Sequence, residues 1–160
     1  MSSVSVRAAH PLDVPLILGF IRKLADYEKL LHEVEATEDD LRRDLFGENP
    51  RAFCDIAERD GAPVGFALWF YSYSTFRGRA GIYLEDLFVE PGARGKGAGK
   101  ALLRRLAHRC VEAELGRLEW AVLDWNAPSI AFYDSLGAAT KDGWTVRRLY
   151  DEALEKLAAG

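Results

Sequence analysis

The stretch Arg94-Gly95-Lys96-Gly97-Ala98-Gly99 indicates the fold of this chain more clearly than any other. It follows an apolar, strand-like run, Ile82 to Val89, and opens into an amphipathic helical run, Lys100 to Glu114. Three glycines allow a tight turn that brings several backbone N–H groups close to a ligand. The start of the helix adds unpaired N–H groups and the positive end of its dipole. The stretch therefore predicts a seat for phosphate oxygens, although a plain turn has the same glycine-rich composition.

Strand-like and helical patterns alternate along the rest of the chain, which predicts a mixed α/β sheet with helices on its faces. An Asp60-Gly61 pair between two apolar runs indicates a hairpin. The predicted strands are Val4–Ala8, Ala52–Glu58, Val64–Tyr73, Ile82–Val89, Leu118–Leu123 and Trp144–Tyr150. The predicted helices start at Asp13, Thr37, Lys100, Ile130 and Asp151.

Residues with capping chemistry mark several of the predicted helix ends. Asp13 is expected to cap the first helix, and Thr37-Glu38-Asp39-Asp40 approximates a capping box for the second. Gly116 is expected to end the helix that follows the glycine-rich loop as its C-cap.

Composition limits the classes of protein that fit. A chain of 160 residues with a hydrophobic fraction of 49% is expected to form one folded domain over residues 1–160. Its net charge of −4 without a basic run argues against nucleic acid and is compatible with a cationic small substrate. Two cysteines and three scattered histidines predict no disulfide framework and no metal site. We expect a cytoplasmic protein without a membrane span.

The glycine-rich loop resembles the R/Q-x-x-G-x-G/A pyrophosphate signature of the GNAT superfamily of N-acetyltransferases. Leu84–Val89 is similar to that family's pantetheine-binding strand, and Asp124–Tyr133 to its later CoA-contacting segment. Within the superfamily the chain resembles the diamine branch, which includes spermidine/spermine and thialysine N-acetyltransferases. The likeness to the branch includes Leu24–Glu28, Thr37–Leu41, Phe46–Pro50 and Gly143-Trp144.

The resemblance implies a GNAT-like, mostly antiparallel sheet, acetyl-CoA as acetyl donor and a homodimer. It also implies that the Leu87 N–H polarises the thioester carbonyl. Arg94 and Lys96 are alternatively plain solvated cations, and Asn126 is alternatively only a helix cap. The residues implied in cofactor binding are Leu87, Phe88, Val89, Arg94, Gly95, Lys96, Gly97, Ala98, Gly99, Asn126 and Ser129.

Tyr133 and Glu85 are the two candidates for acid–base catalysis. The resemblance assigns Tyr133 the protonation of the CoA thiolate, and a core tyrosine is the alternative. Glu85 lies inside an apolar strand, where an unpaired carboxylate is costly. The resemblance makes Glu85 a substrate-binding group and proton acceptor. Strand alternation predicts that Asp86 lies on the opposite face, in a salt bridge or a backbone contact.

By resemblance, Tyr27, Glu28 and Asp142 line the amine pocket together with Glu85. Several carboxylates around one slot favour a long cationic amine, although Asp142 alone is equally a surface charge. Two departures from the branch, Asp26 in place of a basic residue and a shorter loop at Thr140–Gly143, leave the identity of the amine open.

Two other classes of protein compete with an acetyltransferase of small cationic amines. A non-catalytic acyl-CoA-binding or sensing module would share the fold, but it needs neither Tyr133 nor Glu85. A nucleotide-phosphate protein is disfavoured, because the chain lacks G-x-x-x-x-G-K-[ST].

Overall fold

A computed structural model describes residues 3–160 of the chain. The chain forms two compact units, one that ends at Leu123 and one that runs Asp124–Gly160. The first unit holds β1 (Val4–Ala8), α1 (Val14–Tyr27), α2 (Glu38–Phe46), β2 (Phe53–Arg59), β3 (Ala62–Ser74), β4 (Arg79–Val89), α3 (Ala98–Glu112) and β5 (Leu118–Trp120). The second holds α4 (Ala127–Ser135) and α5 (Asp151–Ala158). The single domain over residues 1–160 stays a prediction.

The five strands form one sheet in the order β1-β2-β3-β4-β5. The first four pair antiparallel in chain order, and β5 joins β4 in parallel. A parallel neighbour requires a crossover connection, which α3 supplies between β4 and β5. The predicted mixed, mostly antiparallel sheet is confirmed.

Helices cover both faces of this sheet. On one face, Phe20 of α1 stacks on Phe66 of β3 with ring centroids 5.5 Å apart, and Ile56 of β2 belongs to the same core. Alternation along β2 directs Asp55 to the opposite face. There Arg109 of α3 forms an ion pair with Asp55 at 2.7 Å. The predicted arrangement with helices on both faces is confirmed for the first unit.

A β-bulge interrupts the pairing of β3 with β4 at Glu85. Leu84 lies opposite Trp69 and Asp86 lies opposite Leu68, so Glu85 is the extra residue on β4. The parallel pairing with β5 also stops at Leu84. Beyond this point, in the part of the chain that the structure describes, β4 keeps β3 on one side and has no strand on the other.

Two local signals in the sequence give the predicted structure. Thr37 and Asp40 form a capping box, in which the Asp40 N–H donates to the Thr37 hydroxyl at 3.2 Å and the Thr37 N–H donates to the Asp40 carboxylate at 2.9 Å. Asp60 and Gly61 both have positive φ, 52° and 81°, which the tight β2–β3 turn requires. The capping box and the hairpin are confirmed.

Two predicted caps are wrong. Asp13 precedes α1 but does not cap it, because its carboxylate accepts from the His10 N–H at 2.9 Å and pairs with Arg7 at 2.8 Å. Gly116 does not end α3, since Glu114 takes the left-handed conformation there with φ 53°. The Gly116 N–H instead donates to a carbonyl of β4 at 2.8 Å.

The second unit contains two helices and an extended connection. Asn126 caps α4, as its side chain accepts from the Ser129 N–H at 3.4 Å. The predicted strand Trp144–Tyr150 is wrong, because the residues there have no regular secondary structure. Its apolar character matches a strand, but a strand also needs a neighbour for its backbone hydrogen bonds. The predicted Leu118–Leu123 strand is likewise shortened to β5.

Within residues 3–160, none of the helices has the length and apolar character needed to span a bilayer.

Candidate active site

The first turn of α3 has N–H groups that no side chain caps. Its N-cap is Gly97, which has φ 91° and no side chain to accept a hydrogen bond. The Ala101 N–H is the first of the helix to find a backbone acceptor, at the Gly97 carbonyl 2.9 Å away. The N–H groups of Ala98 and Gly99 come before it and point out of the helix end. Together with the helix dipole they fit an anion such as a pyrophosphate.

The backbone of β4 beyond the bulge presents a free edge. Glu90 donates its N–H to Val64 of β3 at 2.7 Å, so alternation turns the main-chain groups of Phe88 toward β3 as well. The main-chain groups of Leu87 and Val89 therefore face the other side, where the described chain has no strand. An extended amide-containing ligand can pair with this edge as an added strand does.

Phe88 does not present its main chain at that edge, and its role in cofactor binding stays a prediction. Its side chain is buried in the core beside Phe20, with ring centroids 5.9 Å apart. Its main chain faces β3. Leu87 and Val89 keep the predicted position.

Three carboxylates lie within electrostatic range of one another near the bulge. Glu28 follows the last residue of α1, while Glu85 and Asp86 lie on β4. Burial and then the charge of Glu85 raise the pKa of Glu28. Burial, Glu85 and a further glutamate, Glu119, raise the pKa of the Tyr83 hydroxyl. Glu85 is therefore within electrostatic range of the groups on the α1 face of the sheet, and we call Glu28, Glu85 and Asp86 the carboxylate cluster.

Asp86 departs from its prediction. Burial raises its pKa from 3.8 to about 7, and the charges of Glu85 and Glu28 add to the effect. Within residues 3–160 it has no ion pair and no side-chain hydrogen bond, so the expected salt bridge or backbone contact is wrong. The prediction of opposite faces for Glu85 and Asp86 relied on unbroken alternation, which the bulge removes. The sequence signal that could have identified Asp86 is a second carboxylate in the same apolar strand.

No arginine or lysine neutralises the carboxylate cluster, since none of its three members forms an ion pair in the described chain. Three acidic groups without a counter-ion create a strongly negative region. Such a region favours a cationic ligand, and a carboxyl with a pKa of about 7 can exchange a proton at neutral pH.

The side chain of Arg94 takes an unexpected direction. Its Nε donates to the Val89 carbonyl at 2.9 Å, and its guanidinium lies over the Tyr27 ring, 5.0 Å from the centroid. Its own N–H is bonded to the Pro91 carbonyl at 3.3 Å. Lys96 reaches the Gly92 carbonyl at 3.4 Å. Tyr27 thus lies beside the loop as well as beside Glu28.

The remaining predicted residues lie in the second unit. Asn126 is buried as the cap of α4, and the Ser129 N–H is its partner. Tyr133 is half-buried on α4, with its ring 5.5 Å from that of Phe132. Asp142 is exposed in the connection to α5. Asn126 caps the helix, and its role in cofactor binding stays a prediction, as do the roles of Ser129, Tyr133 and Asp142.

Residues 21–138 match the model of the acetyltransferase (GNAT) family. The chain belongs to the GNAT family. A thialysine N-epsilon-acetyltransferase from Bos taurus is 40% identical and aligns over 99% of both chains. An L-ornithine N5-acetyltransferase from Arabidopsis thaliana is 30% identical over 95% of this chain and 86% of its own. This GNAT protein is therefore an N-acetyltransferase, which rules against the non-catalytic module as its identity.

A solved integron cassette protein from the mobile metagenome of V. cholerae is similar over 99% of both chains, with a TM-score of 0.81 and 28% identity. An aminoglycoside acetyltransferase from a soil metagenomic sample has a TM-score of 0.73 at 16% identity, which shows the shared fold alone. GNAT acetyltransferases use acetyl-CoA as the acetyl donor. The residues at the α3 N-terminus and the β4 edge fit its pyrophosphate and its pantetheine amides.

The described residues 3–160 contain no group of three or more histidine, cysteine, aspartate or glutamate side chains able to hold a metal ion. The absence of a metal requirement stays a prediction.

Proposed function

We propose that this GNAT protein transfers the acetyl group of acetyl-CoA to a primary amine of a small cationic substrate by direct attack in a ternary complex. The observation that carries the proposal is the carboxylate cluster without a counter-ion at the start of the free β4 edge. The names of the relatives agree with a diamine, a polyamine or a lysine-like amine as the acceptor.

Cofactor binding is assigned to two backbone features. The N–H groups at the start of α3, near Gly97, hold the pyrophosphate, and the main-chain groups of Leu87 together with the Val89 N–H pair with the pantetheine amides. When bound, acetyl-CoA supplies a thioester whose acetyl group an amine can take. The Leu87 N–H then donates to the carbonyl oxygen and stabilises the charge that develops there.

Amine activation is assigned to the carboxylate cluster. A primary ammonium has a pKa of about 10.4, so it reaches the site protonated and must lose a proton before it attacks. Glu28 and Glu85 hold the cation by charge. Asp86, whose pKa is raised to about 7, is matched to accept a proton at neutral pH. Glu85 remains the second candidate acceptor, as the sequence predicts.

Tyr133 is the proposed general acid. Its hydroxyl donates a proton to the leaving sulfur, so that the thiol and not the thiolate departs. Its place on α4, whose start is fixed by the Asn126 cap, supports this role. Tyr27 and Asp142 are proposed, by resemblance, to contact the cationic amine.

A cytoplasmic homodimer is the proposed state. The apolar side chains of Trp144, Val146 and Leu149 are 75%, 87% and 51% exposed in the single chain, a surface that a second copy can cover. Light scattering of the purified protein tests this part separately, and a monomer at micromolar concentration would contradict it.

The function is tested by initial rates of thiol release while acetyl-CoA and the amine are both varied. The amine panel is thialysine, lysine, ornithine, putrescine and spermidine. A ternary complex predicts intersecting reciprocal plots, and a covalent acetyl-enzyme predicts parallel ones. Tyr133→Phe should lower kcat by about a hundredfold or more with little change in acetyl-CoA affinity. Tyr150→Phe is the matched control, because Tyr150 is 64% exposed and has no assigned role.

A further inference from the structure

We propose that Arg94 is a positioning residue for the amine pocket in addition to its place in the cofactor loop. This inference rests on the proposed function. The guanidinium joins two surfaces, the free edge of β4 at Val89 and the ring of Tyr27 at the end of α1. The β4 edge is assigned to acetyl-CoA and Tyr27 to the amine, so Arg94 connects the two proposed binding surfaces.

The guanidinium of Arg94 makes two kinds of contact at the same time, a hydrogen bond in its plane and a stacked contact through its face. The Nε–H donates in the plane of the group to the Val89 carbonyl at 2.9 Å. The face of the same group covers the Tyr27 ring at 5.0 Å and lies 5.6 Å from the Phe88 ring. A planar cation that stacks and donates can do this, whereas the point charge of a lysine cannot satisfy both contacts. Arg94 therefore contacts the Tyr27 ring and the β4 edge at the same time.

A second contact ties the same face of α1 to the same connection. Lys23 precedes Tyr27 by one helical turn and forms an ion pair with Glu90, which lies just before the loop. The two contacts run in parallel, Lys23 to Glu90 and Tyr27 to Arg94. The Lys23–Glu90 ion pair includes neither Val89 nor Tyr27. Its removal therefore tests whether a general loosening of α1 is enough to change amine binding.

The charge of Arg94 and its positioning role have opposite expected effects on amine binding. A cation beside the Tyr27 ring opposes the binding of a cationic amine through space, so loss of its charge alone would tighten amine binding. A positioning role has the opposite sign, because a displaced Tyr27 weakens amine binding. Arg94→Lys keeps the charge and removes the combined geometry, which separates the two effects.

The test measures KM for the amine at saturating acetyl-CoA, and KM for acetyl-CoA at saturating amine. Arg94→Lys is expected to raise the amine KM by about threefold to tenfold with kcat little changed. Tyr27→Leu should raise it as well, and the double variant should be no worse than the worse single variant. Lys96→Met should raise only the KM for acetyl-CoA, and Lys23→Ala should leave both values within about twofold.

Calorimetric titration of CoA into each variant distinguishes the possible failures. Wild-type protein that neither binds CoA nor releases thiol contradicts the proposed function. If the wild-type protein binds CoA and releases thiol, two results contradict the positioning role. One is that Arg94→Lys changes only the affinity for CoA, and the other is that its effect on the amine KM adds to that of Tyr27→Leu. A loss of amine affinity in Lys23→Ala equal to that in Arg94→Lys would also overturn it, because docking of α1 would then suffice.

Discussion

The carboxyl group of Asp86 lies within electrostatic range of Glu85, and in the described chain it has no ion-pair partner. Glu85 is the extra residue of the bulge that also marks the end of pairing with β5. One irregularity in β4 therefore brings two carboxylates together and frees the edge beside them. The proposed proton transfer and the proposed cofactor binding therefore share one point of the sheet.

Asp86→Asn is predicted to lower kcat/KM for the amine by about a hundredfold or more, because it removes the proposed proton acceptor. A base must be ionised to work, so wild-type activity should fall as pH drops through about 7, the pKa of Asp86. The pH profile of Asp86→Asn should lack this decrease. The measurement is kcat/KM against pH.

Asp39→Asn is the control for this prediction, since it makes the same change of charge on α2, at a side chain that is 96% exposed. A variant at Asp86 that keeps the wild-type acidic limb would show that another group titrates. Glu85→Gln is then the next variant to profile.

Stability should respond to Asp86 in the opposite sense. Its pKa is raised to about 7 in the folded chain, against about 3.9 when unfolded, so the ionised form is disfavoured by folding. The free energy of unfolding is therefore lowered as pH rises from about 4 through 7. Asp86→Asn should be more stable than wild type above pH 7 by on the order of 4 kcal/mol, and no more stable below pH 4.

Urea unfolding at two pH values checks this. A stability gain of the same size at both would mean that packing and not ionisation is responsible. The combination of higher stability and lower activity is typical of a residue kept for chemistry.

Gly97→Ala is predicted to weaken acetyl-CoA binding while it leaves the amine KM unchanged. Gly97 has φ 91°, a conformation that costs an alanine about 1–2 kcal/mol, so the loop and the first turn of α3 should shift. Gly92→Ala is the matched control, because an added Cβ there meets no atom within 4 Å and its backbone lies outside the left-handed region. Equal effects of the two substitutions on acetyl-CoA affinity would count against an anion seat at Gly97.

Arg109→Met is predicted to destabilise the protein by about 3 kcal/mol, because it leaves a carboxylate without its counter-ion. Asp55 is 1% exposed, and its remaining partner is the Trp69 indole N–H at 3.2 Å. Adding Asp55→Asn should recover part of the loss. Denaturant unfolding of the two variants provides the measurement, and a double variant no more stable than the single one would contradict the account.

Much of the sheet could be predicted from the sequence because its signals are local. The hairpin at Asp60-Gly61 and the capping box at Thr37 need only neighbouring residues, and both are confirmed. The glycine-rich loop likewise lies between β4 and α3, as its composition predicts. Local chemistry determines these features.

The errors arise where the structure depends on which partner the fold places beside a side chain or a strand. Asp13 has the chemistry of a cap, but Arg7 and His10 occupy its carboxylate. Strand alternation predicted opposite faces for Glu85 and Asp86, but the bulge at Glu85 breaks the alternation. A bulge depends on the facing strand and has no sequence signature here. The apolar run at Trp144 has the composition of a strand, but composition does not supply the strand it must pair with.

Thiol release from acetyl-CoA tests the central claim most directly, with the amine panel compared against monoamines of matched length, which lack a second cationic group. The account predicts turnover with one or more members of the panel and little with the monoamines, and loss of that preference when two members of the carboxylate cluster are neutralised by Glu28→Gln and Glu85→Gln. Binding of acetyl-CoA without thiol release for any amine, or equal rates for the panel and the monoamines, would contradict it.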